Sequence, residues 1–210
     1  MTEQTAVYLT ERAAVDFWFD FSSPYSYIAS ELIDELAAKH GRKVRWRPVM
    51  ITAAFNASGL PMLTTVPLKG AYSHRDFDRS ARFHGIPYVF SQHFPANTLT
   101  AARAYYWLHA QDCAKARTFA HAVFRALWRD DRNIADLAVV GDIGESLGIL
   151  RADLETAVAR QDIKDRLRAE TDAAIAQGMF GVPYFNVDGE HFWGADRLPQ
   201  IDKWLATGGF

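Results

Sequence analysis

The sequence is short of the residues that thiol chemistry normally requires. It has one cysteine, Cys113, among 210 residues, so it can form no internal disulfide and has no C-x-x-C pair. A disulfide oxidoreductase is therefore nearly excluded, and a reduced, cytoplasmic setting is expected. We interpret Cys113 as an inert, partly buried thiol between two helices, because neither a helix start nor a basic cluster beside it would make it reactive.

The sequence also lacks the features of membrane, secreted, nucleic-acid-binding and metal-binding proteins. No apolar run approaches the ~20 residues of a membrane span. The first residues lack the basic and apolar regions of a secretory signal, and residues 1–13 are predicted to form a flexible arm. A net charge of −2 gives no electrostatic reason to bind nucleic acid or an anionic membrane surface. The sequence contains no glycine-rich phosphate-binding loop and no G-x-S-x-G motif of serine hydrolases. No metal site is expected either, because the histidines lack the spacing of metal ligands.

What the sequence does contain begins with an apolar and aromatic run at residues 15–21, which predicts a buried strand. The pair Ser23 and Pro24 follows it and is typical of a helix start, with serine as N-cap and proline at the first helical position. The helix is predicted to end at Gly41. A hydroxyl where a strand meets a helix N-terminus favours an anion, although Ser23 as a plain cap is the alternative.

The pattern then changes from strand to helix for more than a hundred residues. Residues 43–48 alternate apolar and polar and predict a second strand, parallel to the first through a right-handed crossover. Asn97 can cap one of the helices that follow. The predicted helices of this region are residues 51–57, 71–84, a helix after Asn97, 116–128, 134–147, 151–160 and 163–177.

Strand character returns near the end of the chain. Residues 182–187 and 190–193 flank Asp188-Gly189, a strong hairpin signal, and residues 196–205 predict a last helix. Strands at the two ends need each other, because a two-stranded sheet alone is marginal. The prediction is therefore an α/β fold, with residues 14–50 and 178–210 forming one four-stranded sheet domain and residues 51–177 inserted as a helical domain.

Val182-Pro183 allows two interpretations. Proline is tolerated at the first residue of a strand, and sequence alone favours a trans bond. A cis bond would instead leave the Val182 N–H and C=O facing outward, where a peptide-like ligand could pair with them.

The segments FDFSSPYSY and FGVPYFNVDGEHFWGADR together resemble the DsbA-type branch of the thioredoxin superfamily. More narrowly, they are similar to 2-hydroxychromene-2-carboxylate isomerases and kappa-class glutathione transferases. The central segments VPLKGAY and FPANTLTAAR are similar to segments of these isomerases. The resemblance implies a thioredoxin-like four-stranded sheet with a large all-helical insertion, glutathione as cofactor, a small aromatic substrate and a homodimer.

In this family a serine replaces the first cysteine of C-x-x-C, and Ser23 matches it. The resemblance implies that Ser23 donates a hydrogen bond to the sulfur of glutathione, which favours the thiolate. A chain with one cysteine would thus borrow its nucleophile from a cofactor. Val182 matches the residue before the family's cis-proline, Pro183, and its backbone is expected to pair with the cysteinyl unit of glutathione.

Charged residues match the rest of the glutathione site. Asp196 and Arg197 match the acidic and basic residues that hold the γ-glutamyl end, and Lys69 matches a lysine that meets the glycyl carboxylate. Asn97 and Arg103 are candidates to line the substrate pocket. The alternatives are that Asp196 and Asn97 are only N-caps, and that Arg197 and Lys69 are solvated charges.

Two positions depart from the family. Leu60 stands where many members carry an asparagine that contacts glutathione, and Ala195 stands where the naphthalene-pathway members have asparagine. We predict a glutathione-dependent isomerase that converts 2-hydroxychromene-2-carboxylate to trans-o-hydroxybenzylidenepyruvate in aromatic catabolism. One rival is a kappa-like glutathione transferase or peroxidase acting on other electrophiles. The departures also allow a non-catalytic thioredoxin-fold binding protein.

Overall fold

Four strands form one sheet in a computed structural model, which describes residues 14–210. The strand β1 (Ala14–Phe19) is central and pairs in parallel with β2 (Lys43–Pro48). On its other side β1 pairs antiparallel with β3 (Tyr184–Val187), which pairs antiparallel with β4 (Glu190–Trp193). The sheet order β2-β1-β3-β4 confirms the prediction that strands from both ends of the chain share one sheet.

Helices account for most of the remaining chain, and none in the described range is long and apolar enough to cross a membrane. The arm predicted at residues 1–13 lies outside the described residues. The helices are α1 (Pro24–Ser30), α2 (Ile33–Lys39), α3 (Ile51–Ser58), α4 (Lys69–Phe83), α5 (Leu99–His109), α6 (Cys113–Trp128), α7 (Leu137–Ser146), α8 (Arg151–Ala159), α9 (Gln161–Ala176) and α10 (Leu198–Thr207). Short 3₁₀ turns lie at Leu63–Thr65 and Ala195–Arg197.

The crossover between β1 and β2 contains two helices, so the prediction of one continuous helix was wrong. The chain leaves helical geometry after Ser30, whose hydroxyl donates to the Tyr27 carbonyl at 2.7 Å. Glu31 then accepts two hydrogen bonds, 2.8 and 2.7 Å long, from Arg125 on α6. This contact with a distant helix coincides with the break. Gly41 follows α2 with φ of 65°, as predicted for a helix end.

The single thiol lies at a helix start, not between helices. Asp112 caps α6, its carboxylate accepting from the N–H groups of Ala114 and Lys115 at 2.9 and 3.0 Å. Cys113 is the first residue of α6 and is exposed, which corrects the prediction of a partly buried thiol between two helices.

Both faces of the sheet are covered. Phe17 and Phe19 of β1 pack on one face with α5 and α6, where Phe124 lies 5.3 Å from Phe19 between ring centroids. Trp18 points to the other face and packs among residues from α3 and α9. The Tyr105 hydroxyl donates to the Trp46 carbonyl at 2.8 Å, so the helical segment is hydrogen-bonded directly to the sheet.

The final hairpin confirms the turn predicted from Asp188-Gly189. Asp188 has φ of 57° and Gly189 has φ of 95°, the two left-handed conformations that a type I′ turn needs. Strand β3 begins at Tyr184, two residues later than predicted. The peptide bond between Val182 and Pro183 is cis, which corrects the trans form that sequence alone favours. The Phe94-Pro95 bond is also cis.

Candidate functional site

Ser23 caps α1 at the end of β1, as its sequence context predicts. The Ser23 Oγ accepts a hydrogen bond from the Ser26 N–H at 3.1 Å, and Pro24 occupies the first helical turn. The Ser23 N–H donates to the Asp20 carbonyl at 3.0 Å, which closes the turn between strand and helix. The hydroxyl is half-buried and lies 3.5 Å from the Val182 carbonyl oxygen. Because that contact is long, the hydroxyl hydrogen is available to a better acceptor.

Val182 and Pro183 form the opposite side of the site. Pro183 is buried, and its carbonyl accepts from the Gly194 N–H at 3.0 Å. Across residues 14–210, the Val182 N–H has no hydrogen-bond partner. Gly181 allows close packing here, since a Cβ atom on it would lie 2.7 Å from Trp193 Nε1. The structure thus leaves a free backbone donor beside the Ser23 hydroxyl, an arrangement that can pair with a peptide-like ligand.

Asp196 and Arg197 lie in the 3₁₀ turn Ala195–Arg197, which packs against α1. Asp196 is 72% exposed and pairs with Arg197 at 3.5 Å. Since α10 starts at Leu198 and no side chain caps it, the alternative of Asp196 as N-cap is wrong. Arg197 also lines a surface cavity of about 380 Å³ with Trp193 of β4.

Lys69 is the first residue of α4 and is exposed. The helix it begins is attached to α1 by Tyr25, whose hydroxyl donates to Asp76 at 2.5 Å and whose ring meets Phe77 edge-on at 4.9 Å. Burial and the hydrogen bond to Asp76 raise the pKa of Tyr25, and the Asp196 carboxylate adds to that rise. Tyr25 therefore links α4, the helix that begins at Lys69, to α1 and lies near Asp196.

The segment that carries Asn97 is hydrogen-bonded to the Ser23 turn. The Ala96 N–H donates to the Ser22 hydroxyl at 3.0 Å, so exposed Asn97 lies one residue from that contact. The N-cap position of α5 belongs to Thr98, which corrects the alternative of Asn97 as N-cap. Even so, the Asn97 side chain accepts from the Leu99 N–H at 3.0 Å.

Arg103 lies about one turn into α5 and is half-buried. Its Nε is buried and has no hydrogen-bond partner within the described part of the chain. No hydrogen bond or ion pair connects it to the Ser23 turn in that range, in contrast to Val182.

Asp20 is the residue that sequence reasoning missed. It is 3% exposed at the end of β1, where its carboxylate accepts from the N–H groups of Ser22 and Ile51 and from the Thr98 side chain. Burial raises the pKa of this carboxyl, while those hydrogen bonds act in the opposite direction. The available signal was an acid within a buried apolar run, because buried carboxylates require several donors.

The two departures from the family pattern lie in different surroundings. Leu60 is 44% exposed in the segment after α3, whereas Ala195 is 6% exposed and belongs to the main hydrophobic core. Neither side chain carries an amide group.

Comparisons with known proteins cover nearly the whole chain. The model of the DsbA-like thioredoxin domain family matches residues 14–206. A 2-hydroxychromene-2-carboxylate isomerase of Pseudomonas putida is 30% identical over 191 residues, which are 90% of this chain and 92% of that protein. Glutathione S-transferase kappa 2 of Caenorhabditis elegans is 26% identical over 215 residues, 94% of each chain. A solved 2-hydroxychromene-2-carboxylate isomerase structure superposes with a TM-score of 0.84 at 29% identity, covering 92% of this chain and 94% of that one.

Proposed function

This chain belongs to the DsbA-like thioredoxin family, in the group of 2-hydroxychromene-2-carboxylate isomerases and kappa-class glutathione transferases, and we propose that it is a glutathione-dependent isomerase. Its proposed reaction converts 2-hydroxychromene-2-carboxylate to trans-o-hydroxybenzylidenepyruvate in aromatic catabolism. The observation that carries the proposal is the Ser23 hydroxyl lying 3.5 Å from the Val182 carbonyl, in a chain 30% identical to a protein named for this isomerisation.

The donor set fits glutathione. A tripeptide with an ammonium group and two carboxylates needs an acid and two bases, and Asp196, Arg197 and Lys69 are all exposed charges. The unpartnered Val182 N–H fits a peptide backbone, and the hydroxyl of Ser23 at a helix start fits a thiolate. Each of these residues is thus complementary, in charge or in hydrogen bonding, to one part of glutathione.

Bound glutathione would supply a thiolate that adds reversibly to a conjugated carbon, so that a double bond becomes single, rotates and is restored on elimination. Ser23 donates its hydroxyl hydrogen to the sulfur and holds it charged. A hydrogen bond to a charged group contributes about 1.5–3 kcal/mol. That free energy lowers a thiol pKa by about one to two, since one pKa unit corresponds to about 1.4 kcal/mol.

The remaining residues orient the two ligands. The Val182 backbone pairs with the cysteinyl unit, while Asp196 and Arg197 hold the γ-glutamyl end and Lys69 the glycyl carboxylate. Asn97 and Arg103 are assigned to the aromatic substrate. This assignment rests on the sequence resemblance.

Two assays and one titration test the function. Turnover of 2-hydroxychromene-2-carboxylate is expected to require glutathione, and calorimetry is expected to show saturable glutathione binding. Conjugation of chlorodinitrobenzene without isomerisation would instead support a kappa-like transferase. Absence of glutathione binding would leave a thioredoxin-fold binding protein. The homodimer stays a prediction of the sequence resemblance, and the cytoplasmic location stays a prediction from the single cysteine.

A further inference from the structure

The carboxylate of Asp20 joins three segments that border the candidate site. Its Oδ1 accepts from the Ser22 N–H at 2.8 Å, and its Oδ2 accepts from the Ile51 N–H at 3.1 Å. The Thr98 side chain provides a further hydrogen bond. One buried side chain therefore contacts the turn of Ser23, the start of α3 and the start of α5.

Two further hydrogen bonds extend this connection. The Asp20 carbonyl accepts from the Ser23 N–H at 3.0 Å, and the Ser22 hydroxyl accepts from the Ala96 N–H at 3.0 Å. The backbone and the side chain of Asp20 thus both bind the turn that aims the Ser23 hydroxyl. The segment before α5 is held to the same turn through Ser22.

We propose that Asp20 is the positioning residue of this site: it holds the Ser23 turn, the start of α3 and the start of α5 in one arrangement, and thereby sets the direction of the Ser23 hydroxyl. Its consequence for bound glutathione rests on the proposed function, whereas its effect on the three segments does not.

A carboxylate suits this role and an amide does not. Each carboxylate oxygen of Asp20 accepts one backbone N–H, from Ser22 and from Ile51. Asparagine has one accepting oxygen and one NH₂ group, so one of the two backbone donors would face another donor. Within the described residues no charged side chain forms a hydrogen bond or ion pair with Asp20, so the neighbours that hold it are two amides and a hydroxyl.

Asp20→Asn is the test, and Asp16→Asn is its matched control. Asp16 is also buried on β1, but its carboxylate binds Arg45 and Arg47 away from the Ser23 turn. Amide hydrogen exchange of the apo protein, followed by NMR, is measured at the Ser22, Ile51 and Ala96 N–H groups and compared with amides inside β1. In Asp20→Asn the three amides are expected to exchange at least tenfold faster relative to the β1 amides, and in Asp16→Asn they are not.

A second readout concerns the ligand. Ultraviolet absorbance of the thiolate, measured against pH at saturating glutathione, is expected to show a higher thiol pKa in Asp20→Asn than in wild type, and no such rise in Asp16→Asn. If Asp20→Asn does not fold, Thr98→Val, which removes only the third hydrogen bond, is expected to accelerate exchange at Ser22 and Ala96 by a smaller factor.

The outcomes separate the two proposals. Unchanged relative exchange at Ser22, Ile51 and Ala96, or equal acceleration in Asp20→Asn and Asp16→Asn, would overturn the positioning role. Wild-type protein that binds no glutathione would overturn the proposed function, while the exchange measurement would still decide the role of Asp20.

Discussion

The Ser23 hydroxyl lies 3.5 Å from the carbonyl oxygen of Val182, although 159 positions of the chain separate the two residues. The sheet brings them together, because β1 ends at the Ser23 turn and β3, its antiparallel neighbour, begins just after Val182. The Ser23 hydroxyl and the Val182 backbone therefore lie next to each other. The proposed chemistry depends on this relationship.

Ser23→Ala removes the hydroxyl that is proposed to hold the thiolate. Isomerase activity is expected to fall about 10- to 100-fold, because a charge-assisted hydrogen bond contributes about 1.5–3 kcal/mol. The fold is expected to remain, with a loss of about 1 kcal/mol for the missing N-cap. Steady-state kinetics and urea denaturation measure the two effects.

The control is Asp112→Ala, which removes the cap of α6. The Asp112 carboxylate accepts two backbone N–H groups, so the variant is expected to lose about as much free energy of unfolding as Ser23→Ala. It is expected to retain full activity. Unchanged turnover in Ser23→Ala would remove the hydroxyl from the mechanism.

Much of the sheet could be predicted from sequence because its signals are local. The run before Ser23, the alternation at β2 and the Asp188-Gly189 turn each depend on neighbouring residues. The break between α1 and α2 could not be predicted in the same way. It coincides with Glu31 turning toward Arg125 on α6, a contact across 94 positions that no local pattern contains.

Tyr25→Phe removes the hydrogen bond that attaches α4 to α1. Stability is expected to fall by about 1.5–3 kcal/mol, because the acceptor, Asp76, is a carboxylate. Glutathione affinity is expected to fall severalfold, since α4 begins at Lys69. The control Tyr27→Phe loses a hydrogen bond of 2.7 Å to the Pro87 carbonyl. It is expected to lose stability but to keep the wild-type affinity for glutathione. Equal glutathione affinity in Tyr25→Phe and wild type, measured by calorimetry, would contradict the role given to α4.

Leu60→Asn restores the amide that many family members carry. Glutathione affinity is expected to rise about 2- to 10-fold, the range of one hydrogen bond worth about 0.5–1.5 kcal/mol. Leu63→Asn is the control, because Leu63 is similarly exposed, at 39% against 44%, three residues further on. An equal change in both variants, or none in Leu60→Asn, would show that position 60 does not meet the ligand.

Glu31 gives a pH dependence of stability. Although burial opposes ionisation, the nearby His121, 3.8 Å away, and the hydrogen bonds from Arg125 lower the pKa of Glu31 from 4.5 to about 2. A lowered pKa in the folded state means that this stabilisation is present above pH 4.5 and is lost as the pH falls from 4.5 to 2. The amount is on the order of 2–3 kcal/mol.

Urea denaturation between pH 7 and pH 2 measures this effect. Wild type is expected to lose more stability below pH 4.5 than Glu31→Gln. Glu145→Gln breaks an exposed pair with Arg151, and it is expected to follow the wild-type profile. Parallel curves for wild type and Glu31→Gln would contradict the assignment.

The candidate site could be predicted only in part, because its residues come from distant segments. Ser23 and Val182 were recognised from motifs at the two ends of the chain. Asp20 was not, because its partners Ile51 and Thr98 lie 31 and 78 positions away and contribute a backbone amide and a hydroxyl. Such donors leave no pattern in a sequence.

The central claim is that Ser23 holds the sulfur of glutathione as a thiolate beside Val182, and the ultraviolet thiolate titration of glutathione bound to wild type and to Ser23→Ala tests it most directly. The account predicts a thiol pKa in the wild-type complex about one to two below the value of about 8.5 for a free cysteine thiol, and a return toward that value in Ser23→Ala. A wild-type complex whose thiol titrates like free glutathione, or the same pKa in both proteins, would contradict it.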